Sequence, residues 1–175
     1  MAQSGPAPDE GERPLEFALA RCYRHLGERE HSTAELRRRL VCAGIELDVV
    51  EEALTIVAEQ GYLDDLRYAR LLVEDRRRLD GWGAERIRER LERAGIEREL
   101  IDQALSDCGH ASELAAATAL LERRWPRPPS DDRERQRAFG QLIRMGYESE
   151  VAYDALRAHE RNARAASTGA RRSTA

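Results

Sequence analysis

The sequence predicts an all-α protein made of three tandem three-helix repeats, with a period of about 51 residues, that form an elongated curved array. The main observation is an internal repeat that keeps one register without gaps. Leu36, Leu40, Gly44 and Ile45 recur 51 positions later as Ile87, Leu91, Gly95 and Ile96, and after a further 51 as Ala138, Leu142, Gly146 and Tyr147. Composition agrees, because aromatic residues are only 5% of the chain and β-branched runs between turn signals are missing.

The repeat divides the chain into five segments. Residues 15–61, 62–109 and 110–160 are the three predicted three-helix repeats. Residues 1–14 and 161–175 are predicted to be disordered tails, since they are rich in Gly, Ala, Ser, Pro or Arg, and the C-terminal tail is basic. A unit of about 50 residues buries too little apolar surface to be very stable alone, so neighbouring repeats are expected to share surface.

The first and third helices of each repeat are predicted from apolar residues at helical spacing. In the first repeat these are Leu15, Ala18, Leu19, Cys22 and Leu26, followed by Val49, Val50, Ala53, Leu54 and Val57. In the third repeat a proline-rich loop over residues 125–130 joins the first two helices, and Ser130 is predicted to cap the second of them.

The second helix of each repeat has a predicted start or stop signal. The Ser32 hydroxyl can cap the first of these helices while the Glu35 side chain accepts a hydrogen bond from the Ser32 backbone amide. This is the capping-box arrangement. Gly44, Gly95 and Gly146 are predicted to end the three second helices, because glycine readily takes the left-handed conformation that follows a helix.

The segment Gly61-Tyr-Leu-Asp-Asp65 joins the first two repeats. We predict that Gly61 ends a helix, that Tyr62 and Leu63 fill the core between repeats, and that Asp64 caps the next helix. A paired-carboxylate metal or acid/base site is the alternative. It is disfavoured because adjacent side chains at a helix start diverge and no third acidic or histidine partner stands at useful spacing.

The sequence predicts no enzyme, since it contains no recognisable catalytic constellation, cofactor loop or metal motif. The four histidines have no HExxH or triad-like context, and the glycines serve as helix stops. Cys22, Cys42 and Cys108 lie far apart beside apolar residues and are interpreted as small buried side chains in a reducing cytosol. With no signal peptide and no membrane-length apolar stretch, a cytoplasmic location is expected.

Clusters of arginine are the candidate partner-binding residues. The predicted set is Arg37, Arg38, Arg76, Arg77, Arg86, Arg90 and Arg93. For any single member, a solvated helix face with weak intrahelical ion pairs is the better explanation. As a set, they favour contact with an acidic protein surface or with phosphate. Trp82, in a turn between helices, is predicted to cover the core of its repeat, with an exposed anchor as the alternative.

Three motifs resemble the RecX regulatory family. They are Glu30-His-Ser-x-x-Glu-Leu-Arg-x-x-Leu40, Gly61-Tyr-Leu-Asp-Asp-x-x-Tyr-Ala69, and Gly81-x-Gly-x-x-x-Ile-Arg-x-x-Leu91 followed by Gly95-Ile96. The resemblance covers about residues 15–160. The third repeat departs most, because Ala138 and Tyr147 replace larger aliphatic residues.

The resemblance implies a regulator that binds the filament of RecA recombinase on DNA. Such proteins restrain the strand exchange, ATPase and co-protease activities of RecA, and thereby recombinational DNA repair and the SOS response. A weak contact with single- or double-stranded DNA is left open, and a monomer is expected. The alternative is a helical DNA-binding transcriptional regulator. The net charge of −4 counts against it, because proteins that hold DNA by electrostatics usually carry a basic excess.

Overall fold

A computed structural model describes residues 13–107 and 109–172, without the side chains of His110 and of residues 166–172. Every regular element in these residues is helical, so the all-α prediction is confirmed for the described chain. The chain folds into two compact units. Among the described residues, one unit comprises those up to Arg70 together with Leu91–Ile101, and the other comprises Leu71–Arg90 together with those from Asp102 onward.

Nine α-helices follow one another along the described chain. They are α1 Pro14–Glu28, α2 Thr33–Cys42, α3 Leu47–Glu59, α4 Asp65–Asp75, α5 Ala84–Arg93, α6 Arg98–Asp107, α7 Gly109–Arg124, α8 Asp132–Arg144 and α9 Ser149–Arg172. A π-helical segment, Arg76–Asp80, continues α4 and ends at Gly81, which has a φ of +66°. π-Helical turns are rare and often occur at functional sites.

Helices α1, α2 and α3 pack on one another in the first unit. The buried side chains of this core are Ala18, Cys22, Leu36, Leu40, Val50, Ala53, Leu54, Val57 and Leu63. They recur at intervals of three or four residues, which places them on one face of each helix. Full burial of each larger aliphatic side chain contributes about 1.5–3 kcal/mol, so this shared core supplies much of the unit's stability.

Helix α9 packs against both α7 and α8 in the second unit. The buried side chains of this core are Ala117, Leu120, Leu121, Ala138, Leu142, Tyr147, Val151, Ala152, Ala155 and Leu156. Small side chains at Ala117, Ala152 and Ala155 allow α7 and α9 to approach closely. In the segment between the two three-helix groups, α5 buries Ile87 and Leu91 at i/i+4.

Two segments differ from the sequence-based expectations. Helix α9 continues to Arg172, so residues 161–172 are helical where a disordered tail was predicted; this stretch is rich in Ala and Arg, which have high helix propensity. The N-cap of α8 is Asp131, whose carboxylate accepts from the Glu134 backbone at 2.7 Å. Ser130 instead donates its hydroxyl to the Glu134 side chain. Residues 1–12 and 173–175, the rest of the predicted tails, lie outside the described chain.

Among the described helices, none is both long enough and apolar enough to cross a membrane.

Candidate functional site

Ser32 connects the start of α2 to the end of α5. Its hydroxyl accepts from the Glu35 backbone at 3.1 Å, as an N-cap should, and donates to the Ala94 carbonyl oxygen at 2.6 Å. Ser32 is fully buried, so both bonds form away from water. Both partners belong to the first compact unit, and the second bond is one that sequence patterns do not reveal.

The Glu35 side chain lies at the centre of a polar cluster. It accepts from His31 Nδ1 and from Arg29, each at 3.2 Å, and from the Tyr68 hydroxyl at 3.4 Å. Burial alone would raise the pKa of Glu35, but the charge of Arg29 and the hydrogen bonds from Arg29 and His31 bring it below its usual value. Burial and the charge of Arg29 lower the pKa of His31, against an opposing hydrogen bond to Glu35.

Gly95 brings the turn after α5 against the first turn of α2. Its φ is +80°, and a Cβ atom built on it would lie 2.4 Å from the Cβ of Ala34. Only glycine therefore satisfies both the left-handed backbone and the close approach. The Gly95 and Ile96 amides close back on the Glu92 and Leu91 carbonyls, which is the Schellman ending of a helix.

An equivalent contact recurs 51 positions later inside the second unit. The Gly83 amide donates to the Met145 carbonyl at 2.8 Å, and the Glu85 amide donates to the Gly146 carbonyl at 3.0 Å. Gly83 and Met145 occupy the repeat positions of Ser32 and Ala94. Gly146 has a φ of +88°, and a Cβ atom there would lie 2.5 Å from the Cβ of Arg86. We call these two contacts the first and second joints.

Carboxylates from the next repeat cap the second helix at each joint. The Thr33 amide donates to Asp65 at 2.8 Å, and the Ala84 amide donates to Glu113 at 2.9 Å. Asp64 caps α4 by accepting from the Arg67 backbone at 2.9 Å. The adjacent carboxylates Asp64 and Asp65 thus serve two different helix starts. Across the described residues, no three His, Cys, Asp or Glu side chains are grouped so as to hold a metal ion.

Tyr62 does not fill the core, contrary to the prediction, whereas Leu63 does. Leu63 is 5% exposed and packs with α1–α3, but Tyr62 is 56% exposed. Its ring meets the edge of Tyr23 at a centroid distance of 5.7 Å. The Tyr62 amide closes the Schellman turn at Gly61, whose φ is +76°. Ile96 and Tyr147, at the same position of the equivalent turns, are buried.

The arginines of α2 have different surroundings. Arg37 forms two hydrogen bonds with the Glu51 carboxylate, at 2.5 and 2.8 Å, across to α3. Arg38 is exposed to solvent. Gly44, at the end of the same helix, has a φ of +81° and open space around it. Of Arg37 and Arg38, Arg38 is the side chain better placed to contact a partner protein.

Two predicted arginines meet at Trp82. The Arg86 guanidinium lies over the indole at 4.4 Å from its centroid, and that of Arg76 lies at 5.3 Å. Arg76 also pairs with Asp80 at 2.6 Å, and Arg86 donates to the Met145 sulfur at 3.5 Å. Trp82 is half-buried beneath these cations, intermediate between a core cover and an exposed anchor. Arg86 therefore has a role in the second joint.

Arg77, one of the predicted partner-binding arginines, is buried and does not lie on an open surface. It is 8% exposed, and its nearest carboxylate oxygen, on Glu113, lies 4.0 Å from Nη2. Arg77 lies four residues after the buried Val73, so helical spacing places it on the buried face of this element. On α5, Arg90 is half-buried and Arg93 is exposed, and both have interaction partners.

The prediction that the cysteines are buried is confirmed for one of the two whose side chains are described. Cys22 is buried in the first core, and burial raises the pKa of its thiol to about 11. Cys42, at the end of α2, is exposed, because the helix turns its last residue away from α1 and α3. Cys108 lies outside the described residues.

An open groove lies between the π-helical segment and α7 in the second unit, with a volume of about 370 Å³. It is lined by Glu74, Arg77, Arg78, Gly81, Ser112, Ala115, Ala116, Ala119, Leu120 and Arg123. Of the three arginines that line the groove, only Arg77 belongs to the set predicted from the sequence. Arg123 and Glu113 come from a different helix, α7, and no local pattern joins them to the π-helical segment.

The chain matches the family models of three consecutive three-helix domains. The first RecX three-helix domain matches residues 18–55, the second matches residues 64–105, and the third matches residues 111–156. These matches confirm the prediction of three tandem three-helix domains.

Curated relatives cover most of the chain. A regulatory protein RecX from Mycobacterium sp. (strain JLS) is 33% identical over 161 residues, which are 89% of this chain and 88% of that protein. Its counterpart from Deinococcus radiodurans is 35% identical over 150 residues, or 86% and 72% of the two chains. Its counterpart from Pseudomonas fluorescens (strain SBW25) is 37% identical over 131 residues, or 72% and 81%.

Two solved structures have the same fold. The crystal structure of RecX from Lactobacillus salivarius superimposes with a TM-score of 0.76 at 15% identity, covering 84% of this chain and 97% of that one. A second crystal structure, of a regulatory protein RecX, gives a TM-score of 0.68 at 25% identity, covering 84% and 77%. The molecule is thus an all-helical protein of tandem three-helix domains. The chain belongs to the RecX family, whose curated members are described as regulatory proteins.

Proposed function

We propose that this protein binds the filament of RecA on DNA and inhibits RecA recombinase, ATPase and co-protease activity, acting as a regulator and not as an enzyme. The match to all three RecX domains, in order and over most of the chain, is the observation that supports this proposal. Restraint of recombinational repair and of the SOS response would follow in the cell.

The proposed mechanism is steric and depends on differential affinity. Tandem repeats present similar surfaces at regular intervals, which suits a partner that is itself a repeating polymer. A ligand shifts a conformational equilibrium only by binding one state more tightly than the other. The protein is therefore expected to bind the filament more tightly than free RecA, and to bridge neighbouring RecA subunits in a state that cannot extend.

Arg38 is the member of the predicted arginine set that we propose as a direct contact from α2. It is exposed, whereas its neighbour Arg37 is occupied by the bidentate pair with Glu51. A mixed-charge surface with net charge −4 suits a protein partner better than naked DNA. Arg38→Glu should weaken RecA inhibition several-fold. Arg133→Glu, an equal charge change at an exposed position of α8, is the matched control and should leave inhibition unchanged.

The primary test is RecA-catalysed, single-stranded-DNA-dependent ATP hydrolysis, titrated with this protein at near-physiological salt. We expect inhibition well below one molecule per RecA, and no hydrolysis by the protein alone. Absence of inhibition at equimolar protein, with a folded helical sample by circular dichroism, would contradict the proposal. Sequence-specific binding to naked duplex DNA with a steep salt dependence would instead support the DNA-binding regulator.

A further inference from the structure

The groove between the π-helical segment and α7 combines cations with an apolar floor. Arg77, Arg78 and Arg123 line it with one carboxylate, that of Glu74. The floor is formed by Ala115, Ala116, Ala119 and Leu120 of α7. Because most side chains along this face of α7 are alanines, the groove stays open, with a volume of about 370 Å³. The space exceeds that of a single side chain, so a short segment of another chain can enter it.

Arg77 makes this groove more than a charged surface. Its Nε and Nη1 atoms are buried and have no hydrogen-bond partner among the described residues, although the side chain is only 8% exposed. Its closest counter-charge is Glu113, at 4.0 Å from Nη2, and the other oxygen of that carboxylate already caps α5 at Ala84. A buried guanidinium with unused donors is costly unless an acceptor reaches it.

A carboxylate is the acceptor that this geometry favours. Planar guanidinium donors match planar carboxylates, and charge-assisted hydrogen bonds are strong where water is largely excluded. The alanine and leucine floor would take an apolar side chain next to that carboxylate. A phosphodiester backbone has no group for such a floor, and the chain as a whole is acidic.

We infer that this groove binds an acidic segment of a partner protein, with one Asp or Glu side chain directed at Arg77 and Arg123 and a neighbouring apolar side chain on α7. In the proposed function the partner is RecA, so the identity of the partner, but not the chemistry of the groove, rests on that proposal. Arg77 lies at the start of the π-helical segment, and Gly81 ends that segment beside Leu120 and Arg123.

The direct test measures, by fluorescence anisotropy, the binding of a short fluorescein-labelled peptide in which Glu alternates with Leu to the whole 175-residue chain. The same peptide with Gln in place of Glu is the charge control, and a short oligothymidylate is the nucleic-acid probe. We expect the Glu peptide to bind about ten-fold more tightly or better than the Gln peptide, because a hydrogen bond between charged groups is lost in the latter. No binding of the Glu peptide overturns the inference.

Variants then assign the binding to the groove. Arg123→Glu and Ala119→Trp alter it from exposed positions of α7, one by charge and the other by filling space. Arg124→Glu and Ala20→Trp make the same changes at exposed positions outside the lining, on α7 and α1. We expect the first two to weaken peptide binding about ten-fold, and the controls to have no effect. Equal effects of the controls would overturn the assignment.

Arg77→Gln tests the buried cation, and its stability is measured in parallel because a buried side chain is changed. Retained folding with about ten-fold weaker peptide binding supports the inference. If oligothymidylate displaces the peptide and binds more tightly, with the same sensitivity to Arg123→Glu, the groove is a nucleic-acid site and the inference is overturned.

The RecA assay separates this inference from the proposed function. If wild-type protein inhibits RecA and Arg123→Glu and Ala119→Trp inhibit equally well, the groove does not hold RecA, and the proposed function stands. If wild-type protein fails to inhibit RecA while the groove variants still abolish peptide binding, the groove stands and the proposed function falls.

Discussion

The Ser32 hydroxyl donates to the Ala94 carbonyl oxygen at 2.6 Å, across 62 positions of the chain. The same repeat positions one period later are joined by the backbone amide of Gly83 and the carbonyl of Met145 at 2.8 Å. A side-chain donor at the first joint is thus replaced by a backbone donor at the second. The joint geometry is conserved between repeats although its chemistry differs, which indicates that the backbone approach, and not one side chain, defines it.

The close approach at Gly95 predicts a larger stability loss on substitution than left-handed strain alone. Gly95→Ala and Gly44→Ala both place alanine at a φ near +80°, which costs about 1–2 kcal/mol. Only Gly95→Ala also meets Ala34, so it should lose about 1–3 kcal/mol more in the free energy of unfolding by urea denaturation. Ala34→Gly should recover part of that extra loss in the double variant. Equal losses for the two alanine variants would contradict the contact.

Ser32→Ala should destabilise the protein more than the loss of an ordinary helix cap. Asp131→Ala, at the exposed cap of α8, removes one bond to the Glu134 amide and should cost about 1 kcal/mol. Ser32→Ala removes a cap and leaves the buried Ala94 carbonyl without this donor, for a total of about 2–3 kcal/mol. Urea titrations of both variants measure the difference. Its absence would show that water replaces the Ser32 bond.

Stability should fall as the pH decreases from neutrality. Burial comes first among the causes that lower the pKa of His31, and also of His25, below the ordinary value of 6.5. The unfolded chain therefore takes up protons more readily than the folded chain, so the stability is present above pH 6.5 and is lost as the pH falls below it. The urea midpoint should drop between pH 7.5 and 5.5, and less steeply in His31→Gln. An unchanged slope in that variant would exclude His31 as a source.

A second loss is expected at lower pH from Glu35. Its pKa in the folded protein is below its ordinary value of 4.5, since Arg29 and His31 outweigh the opposing effect of burial. The unfolded chain therefore binds protons first as the pH falls below 4.5, and the contribution of Glu35 disappears as the pH passes its folded pKa. Glu35→Gln should flatten the urea stability curve in this range. A slope as steep as that of the wild type would contradict this assignment.

Removing the cation over Trp82 should change its fluorescence and weaken the second joint. In a Trp125→Phe background, Arg86→Met uncovers the indole, so we expect a red-shifted emission and a loss of about 1 kcal/mol in unfolding free energy. Arg78→Met, which removes an exposed arginine from the same unit, is the control and should leave the emission unchanged. An unshifted spectrum in Arg86→Met would mean that Arg76 alone keeps the ring covered.

Local patterns predicted the elements well where the cause lies within a few residues. The Ser32 cap and the glycine turn at Gly95 follow from hydrogen bonds between near neighbours, which a sequence displays directly. The exposure of Tyr62 could not be predicted in the same way, because Ile96 and Tyr147 follow equivalent turns and are buried, so the packing around the turn decides the difference. The burial of Arg77 could have been predicted, because Arg77 lies four residues after the buried Val73 on the same helical face.

The sequence by itself determined the three-helix repeat, the positions of its helix ends and the apolar faces of its helices, because helical periodicity and capping are properties of short segments. Only the tertiary structure decided that Ser32 reaches Ala94, that Asp65 and Glu113 cap helices of the preceding repeat, and that Arg77 and Arg123 face one groove. These contacts join residues far apart in the chain. Their partners are chosen by the packing of whole helices, which no local pattern records.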